Sequence, residues 1–262
     1  MPVTIEKGVI IPLANVFETQ STSFSTYHGG MLRVEKRFNQ GLTFLTTYTF
    51  SKAISDNPGF RGGGQGLSAA GAQDVLNRTA EKGLADLDHR QRFTAATVYE
   101  LPFGKNSRGA LKQLIGGWAT DAIVQLQSGL PMTPQHTGDI GSMGTNQALR
   151  PDLVCNPNLP RGAQTVEKFF KTECLALQTP MRYGTAGRSV ITGPGRSGID
   201  LSVRKAFKFG EKVNLQFRTE VFNALNRSNF NPPNKLLGNV NFGRVTSARD
   251  PRIIQFGLKL AF

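Results

Sequence analysis

The chain has 262 residues, of which 39% are hydrophobic, and its mean hydropathy is −0.26. No segment approaches the roughly 18 consecutive apolar residues of a membrane helix, so a helical membrane protein is excluded, whereas a membrane protein built of strands is not. The net charge of +13 comes from 31 Lys and Arg against 18 Asp and Glu, and the basic residues are scattered along the chain. Nucleic-acid binders cluster their charge in a patch or arm, so nucleic acid is disfavoured as a partner.

Apolar and polar residues alternate along seven segments of the chain, which is the pattern of a strand with two different faces. In the last segment, for example, Ile254, Phe256 and Leu258 alternate with Gln255 and Gly257. The alternation predicts strands at Tyr27–Phe38, Leu42–Ala53, His89–Phe103, Gly117–Ser128, Ile199–Phe209, Lys212–Leu225 and Pro251–Phe262.

The connections between these strands alternate in length. The first, third and fifth are short, and in the first of them Gly41 is available for the positive φ of a tight hairpin turn. The other three are long and rich in turn-forming residues, so we predict irregular loops there, and the end of another loop at residues 1–22. The short connections are 39–41, 104–116 and 210–211, and the long ones are 54–86, 129–198 and 226–250.

This asymmetry is typical of bacterial outer-membrane barrels, which have short periplasmic turns and long extracellular loops. Aromatic residues also gather near the proposed periplasmic turns, as interfacial girdles do. A soluble sandwich explains the alternation of residues but not that of the loops. We therefore predict an all-β fold, part of an antiparallel transmembrane β-barrel. The girdle residues are Phe38, Phe44, Phe103, Trp118, Phe207, Phe209 and Phe262.

The number of strands predicts an incomplete barrel. Seven strands are visible, whereas single-chain bacterial barrels have even numbers. The opening MPVTIEKGVI has no basic start followed by an apolar core, so no export signal is visible. We expect residues 1–262 to be the carboxy-terminal part of a larger barrel, or a truncated copy of one.

Charged residues of the strands fall on the face that a barrel turns to its lumen. Two interpretations of this set remain open. One is a ligand path that favours anions, and the other is mutual pairing across neighbouring strands together with contacts to a plug that this chain lacks. The set is Arg33, Arg37, Arg90, Arg92, Arg204, Arg218, Glu220 and Lys259.

Cys155 and Cys174 both fall in the longest loop. Paired, they would staple that loop in an oxidising compartment, and unpaired they would be two incidental thiols. Neither has a second Cys or His at the spacing of a zinc motif, so no metal site is predicted.

Several stretches resemble the carboxy-terminal barrel of TonB-dependent receptor-like outer-membrane proteins, particularly the Oar-like group that begins with a carboxypeptidase-regulatory-like domain. The order and spacing of these stretches support the resemblance, since none is a catalytic signature. They are YHGGMLRVEKRFNQGLTFLTTYTFSKAI at 27–54, LDHRQRFTAATVYELPFGK at 87–105, SGLPMTP at 128–134, and GRSGIDLSVRKAFKFGEKVNLQFRTEVFNALNRSNFNPP at 195–233.

The resemblance implies a barrel of the 22-stranded plugged class that imports a scarce, bulky ligand. In that family a short amino-terminal box receives energy from TonB. The sequence shows neither plug nor box, so we expect TonB to act only through an amino-terminal part of the complete protein. The barrel-insertion machinery is expected to read the terminal strand as an assembly signal through Phe256, Leu258, Leu260 and Phe262.

The leading functional hypothesis is therefore a receptor and transporter barrel in the cell outer membrane, in contact with lipid and lipopolysaccharide. A passive or structural surface barrel, or a non-functional truncated copy, is the second hypothesis. A secreted soluble β-domain that binds carbohydrate is the third. We expect neither enzyme activity nor a cofactor, because His28, His89 and His136 lie in no hydrolase or metal motif.

Overall fold

One antiparallel sheet dominates the structure, which is a computed structural model. Seven long strands follow one another in chain order across it, and the short strand Gly83–Leu84 pairs with the end of the second. The seven are β1 (Ser25–Arg37), β2 (Leu42–Ser55), β3 (Gln91–Glu100), β4 (Trp118–Gln127), β5 (Arg196–Phe209), β6 (Val213–Phe222) and β7 (Ile253–Ala261). The structure describes residues 3–6, 9–12, 21–37, 41–56, 72–74, 76–104, 106–136, 149–209 and 213–262.

All seven predicted strands are present, and the fold is all-β as expected. Each strand pairs with its neighbours in sequence, so the sheet is a meander from β1 to β7. Within the described part of the chain, β1 and β7 each pair on one side only. The sheet therefore has two open edges, as a segment of a larger barrel would have.

The register places apolar and polar residues on opposite faces of the sheet. One lateral row on the apolar face, from β3 to β7, is Thr97, Ala122, Leu201, Val221 and Ile254. The next row, on the polar face, is Val98, Asp121, Ser202, Glu220 and Gln255. The apolar face is broadly exposed, and Phe256 and Leu258 are each 70% exposed. An apolar surface of this extent marks a contact with lipid or protein.

The short connections join strands at one end of the sheet. Gly41 has a φ of +84°, and a Cβ there would lie only 3.0 Å from Cβ of Glu100, so glycine is required. The connection 101–117, within which the sequence predicts a turn and linker at 104–116, contains the helix α1 (Gly109–Ile115). Phe38 and the predicted turn residues 39–40 and 210–211 lie outside the described residues.

The long connections differ from the prediction, because much of their length is folded. The prediction of long loops is confirmed, but the local turn signals did not reveal the short strands and tertiary packing of these loops. They contain 3₁₀ turns at Arg78–Glu81 and Thr172–Cys174, and short strands at Pro131–Met132, Gln135–His136, Asp152–Leu153, Leu175–Ala176, Ile191–Thr192 and Leu236–Leu237. The predicted loop end at 1–22 likewise contains a small hairpin of Val3–Glu6 and Val9–Pro12.

No helix among the described residues is long and apolar enough to cross a membrane.

Candidate functional site

The long connections pack together at the end of the sheet opposite the short turns, and we call their described residues the loop plateau. The plateau comprises residues 72–74, 76–90, 128–136, 149–195 and 223–252. Its core contains a cluster of buried apolar side chains. Phe170 meets Phe242 edge to face with ring centroids 5.3 Å apart, which joins the second long connection to the third. The buried cluster is Met132, Phe169, Phe170, Leu175, Ala186 and Ile191.

A buried ion pair joins the first long connection to the second. Arg150 donates from Nη1 to Oε2 of Glu81 at 2.9 Å, and the side chains are 2% and 0% exposed. Gln73 contacts both members of the pair. Its side-chain oxygen accepts a hydrogen bond from the Arg150 backbone N–H at 2.7 Å, and its backbone N–H donates to Glu81 Oε1 at 2.9 Å. The second carboxylate oxygen is thereby satisfied, which a buried charge requires.

A second buried arginine extends this polar network toward the sheet. Arg188 donates from Nη1 to the carbonyls of Ser55 at 3.2 Å and Glu81 at 2.9 Å. Its Nη2 lies 3.6 Å from Asp86 Oδ1. Burial lowers the pKa of Arg188, and the charge of Asp86 opposes that shift. The end of β2 is therefore tied to both long connections by one side chain.

Lys235 of the third connection has a pKa lowered to about 8 by burial, which the nearby charge of Asp86 partly opposes. The unfolded chain therefore binds more protons than the folded plateau between about pH 8 and the ordinary lysine pKa of about 10.5. We expect plateau stability to rise over that interval, with the full penalty present below about pH 8. Unfolding measured against pH should show this rise in the native protein and not in Lys235→Met. An equal slope in the two proteins would contradict the assignment.

Cys155 and Cys174 are joined by a disulfide, with their Cα atoms 4.8 Å apart. The adjacent strands Asp152–Leu153 and Leu175–Ala176 pair antiparallel, so the covalent bond closes a small hairpin. Beside it, the Arg182 guanidinium contacts both carboxylate oxygens of Asp152 and holds the pKa of that carboxyl below its ordinary value.

Replacing both cysteines by serine is expected to lower the free energy of unfolding of the plateau by about 3 kcal/mol, because the bond closes a loop with a sequence separation of 19. Hydrogen exchange in peptides spanning 149–195 measures the loss, and peptides from β4 and β5 serve as the internal control. Unchanged exchange in the 149–195 peptides would contradict the prediction.

Basic and polar side chains meet where the plateau joins the polar face of the sheet. Arg92, Gln127 and Arg196 are paired in register across β3, β4 and β5, so they form one lateral row at the plateau end. A shallow pocket above that row is lined by Gln127, Arg196, Met132, Phe230, His89 and Arg249. In the described part of the chain, no carboxylate lies within 4.0 Å of Arg92, Arg196 or Arg249. We call this row and pocket the basic mouth.

A family model matches most of the chain. The model of a family described as outer membrane beta barrel domain matches residues 4–255. The chain belongs to this family. The protein is accordingly located in the cell outer membrane, and its sheet forms part of a barrel wall. A search of the curated proteins found no match. Strands of such barrels alternate apolar-out and polar-in, which makes the polar face the lumen side and the apolar face the lipid side.

Most charges on the lumen side of this barrel wall are paired locally. Arg204 lies 3.3 Å from Asp121 across β4 and β5, and Arg218 lies 3.3 Å from Glu220. Of the eight charged residues predicted to face the lumen, seven lie on this side by register: Arg33, Arg37, Arg92, Arg204, Arg218, Glu220 and Lys259. On β1, Glu35 pairs with Arg33 at 2.8 Å and with Arg37 at 3.7 Å.

Arg90 is placed differently from the other seven. It precedes β3, which begins at Gln91, and its guanidinium lies 6.0 Å from the ring centroid of Phe50. Phe50 is on the lipid side by register. The strand begins two residues later than the sequence predicts, because a turn closed by the Asp88 N–H on the Ala85 carbonyl at 2.9 Å precedes it.

The terminal strand β7 places Phe256, Leu258 and Leu260 on the lipid side, opposite Thr219, Phe217 and Leu215. Phe256 stacks on Phe217 with ring centroids 6.2 Å apart. Phe262 follows the last strand residue and is 96% exposed. The three strand residues therefore lie on the lipid-facing side of the barrel wall. Their role in assembly stays a prediction.

The sequence prediction did not include the plateau network. Gln73, Glu81, Arg150 and Arg188 have no recognisable motif, and contacts between them span up to 107 residues of sequence. Arg196 and Arg249 were missed because they lie outside the predicted strands. Charged residues within a long segment of turn-forming residues were one signal of the network, because a loop with a folded interior needs partners for its buried polar groups.

Proposed function

We propose that the protein is the receptor barrel of an outer-membrane uptake system and recognises a bulky ligand through the loop plateau. The observation that supports this is the packing of all three long connections into one body with its own core, ion pairs and disulfide. A recognition surface built on a rigid scaffold loses little conformational freedom when its ligand binds. The role is one of binding and passage, without enzyme activity.

The basic mouth favours an anionic ligand. Arg92, Arg196 and Arg249 present guanidinium groups that no described carboxylate neutralises, whereas arginines deeper in the lumen are paired. Unpaired guanidinium groups at an opening attract anions and bind carboxylate, sulfate or phosphate with two parallel hydrogen bonds. The net charge of +13 adds long-range attraction of the same sign. Basic residues outside the mouth would contact anionic lipopolysaccharide.

Energy for uptake would come from TonB in the complete protein. This part of the proposal rests on the resemblance of segments 27–54, 87–105, 128–134 and 195–233 to receptor barrels. A plug held in the lumen and a TonB-binding segment would belong to the amino-terminal part that such receptors have. Folding into the membrane would use the barrel-insertion machinery, with the terminal strand as its signal.

The test uses cells that express the complete protein, with fluorescein-labelled dextran sulfate and uncharged dextran of equal size as probes. We expect dextran sulfate to bind and dextran not to bind. Replacing Arg196 by Gln should weaken binding about tenfold, the effect of losing a charge-assisted contact. The matched control is Arg161→Gln, an exposed plateau arginine away from the pocket lining, which should leave binding unchanged.

The same cells separate transport from a passive role. Deletion of TonB should leave surface binding intact and abolish internalisation of the bound probe. Internalisation that persists without TonB would favour a passive barrel. Binding without any internalisation in either strain would favour a structural surface protein. Equal binding of dextran and dextran sulfate would contradict the anionic class of ligand.

A further inference from the structure

The helix α1, in the connection between β3 and β4, has an apolar side that is largely exposed, with Ile115 lying beside Gly104. Its sequence is GALKQLI, and the spacing of Leu111, Leu114 and Ile115 puts all three on one side. Their side chains are 56%, 67% and 40% exposed. Lys112 and Gln113 lie on the opposite side, so even this short helix is amphipathic.

Two residues of the lipid side of the barrel wall hold α1 in place. Trp118 donates from Nε1 to the carbonyl of Leu114 at 3.3 Å. Lys205 donates from Nζ to the carbonyl of Gly116, the C-cap of the helix. Trp118 and Lys205 are paired in register on the lipid side. The C-terminal half of α1 is therefore attached to the surface that contacts lipid.

The environment of Lys205 indicates the depth of α1 in the membrane. Its ammonium lies 4.9 Å from the ring centroid of Phe207 and 5.4 Å from that of Trp118, and the residue is 2% exposed. A lysine on a lipid-facing surface is tolerated near the ends of strands, where its ammonium can reach polar groups. Tryptophan at the same position is typical of the membrane boundary. Both features place α1 at the headgroup level on the side of the short turns.

The polar side of α1 faces the end of the barrel wall. Gln113 donates from Nε2 to the carbonyl of Lys208 near the end of β5 at 2.7 Å. Leu111 and Leu114 stay exposed beside this contact. Basic side chains flank the apolar ones, with exposed Arg108 at the N-cap and exposed Lys112 in the helix. Apolar residues between cations match the chemistry of a phospholipid surface.

We propose that α1 is a membrane-surface helix that binds glycerophospholipid of the periplasmic leaflet. Leu111, Leu114 and Ile115 enter the boundary between headgroups and acyl chains, and Arg108 and Lys112 meet the phosphate groups. The lipid contact of the barrel wall thus continues past the strand ends. The proposal rests on the fold and membership of the barrel family and is independent of the ligand or of TonB.

The test is a spin label on α1 in the full chain, reconstituted into vesicles of phosphatidylcholine and phosphatidylglycerol. Leu114→Cys and Lys112→Cys give matched labels on the two sides of the helix, and both sites are exposed, so neither variant disturbs packing. The only native cysteines are joined in the disulfide and do not react. Collision rates with oxygen and with a water-soluble nickel complex then report the depth of each label.

We expect the label at 114 to lie about 5–10 Å below the phosphate level and the label at 112 to lie at or above that level, among the headgroups. A label at 114 that collides freely with the nickel complex would overturn the proposal and leave the helix open to a protein partner. A label at 114 near the bilayer centre, or equal depths at the two positions, would also overturn it.

Discussion

Replacing Glu81 by Gln is expected to destabilise the loop plateau by about 3–5 kcal/mol, because it leaves the Arg150 guanidinium buried without a counter-charge. The change keeps the size of the side chain, so a loss cannot come from a cavity. Hydrogen exchange in plateau peptides measures the loss of stability, and peptides from the strands provide an internal reference. The first and second long connections should lose protection together, because the pair joins them.

The matched control is Glu173→Gln. Glu173 pairs with Lys168 at 3.0 Å, but these side chains are 58% and 50% exposed, so the loss of stability should be far smaller than for Glu81→Gln. Adding Arg150→Met to Glu81→Gln removes the unpaired charge and should restore part of the stability. Equal losses for Glu81→Gln and Glu173→Gln would contradict a structural role for the buried pair.

Replacing Phe256 and Leu258 together by Asp is expected to prevent stable insertion of the barrel. Both side chains lie on the lipid side of β7, and a charge surrounded by hydrocarbon costs up to about 2–4 kcal/mol per residue, with Asp below Lys and Arg. The measurement is the amount of protein in isolated outer membranes and its resistance to extraction. Deletion of Phe262 tests the assembly signal separately, and we expect it also to reduce membrane levels.

The adjacent positions on the same strand provide a control. Gly257→Asp with Lys259→Asp introduces two carboxylates on the lumen side, where Gly257 lies opposite Arg218 and a Cβ meets nothing within 4 Å. This variant should insert at nearly normal levels. If the two double variants are equally abundant in membranes, the assignment of faces on β7 is wrong.

The two predictions test the barrel wall and the loop plateau separately. The barrel wall depends on lipid for its apolar face, and its strands are held together by backbone pairing. The plateau depends on its own small core, its buried ion pair and its disulfide. A variant of Glu81 should therefore insert and yet lose ligand binding, whereas a variant of Phe256 and Leu258 should fail before binding can be measured.

The seven strands and their two faces could be predicted from the sequence because alternation with period two is a local property. Neighbouring residues of a strand point to opposite faces whatever the strand pairs with. Ile254, Phe256 and Leu258 are therefore on one side of β7 in any barrel that contains it. The short turn at Gly41 follows from the same local rules, because only glycine has an unrestricted positive φ.

The helix α1 was missed because its seven residues are too few for a clear helical period, and its position depends on Trp118 and Lys205 from the sheet. The loop plateau was missed because its stability comes from contacts between distant segments, such as Arg150 with Glu81 and Phe170 with Phe242. The disulfide was one of two open alternatives, because the spacing of two cysteines in the sequence does not show whether their sulfur atoms lie within bonding distance.

The sequence by itself determined the class of the fold, the membrane-facing side of each strand and the end of the barrel where the long connections lie. Only the tertiary structure decided that those connections fold into a plateau and that Arg92 and Arg196 flank Gln127 at its base. The physical reason is the range of the interactions. Strand faces follow from the geometry of adjacent residues, whereas a buried ion pair or a lateral row of arginines exists only once the register of the sheet is set.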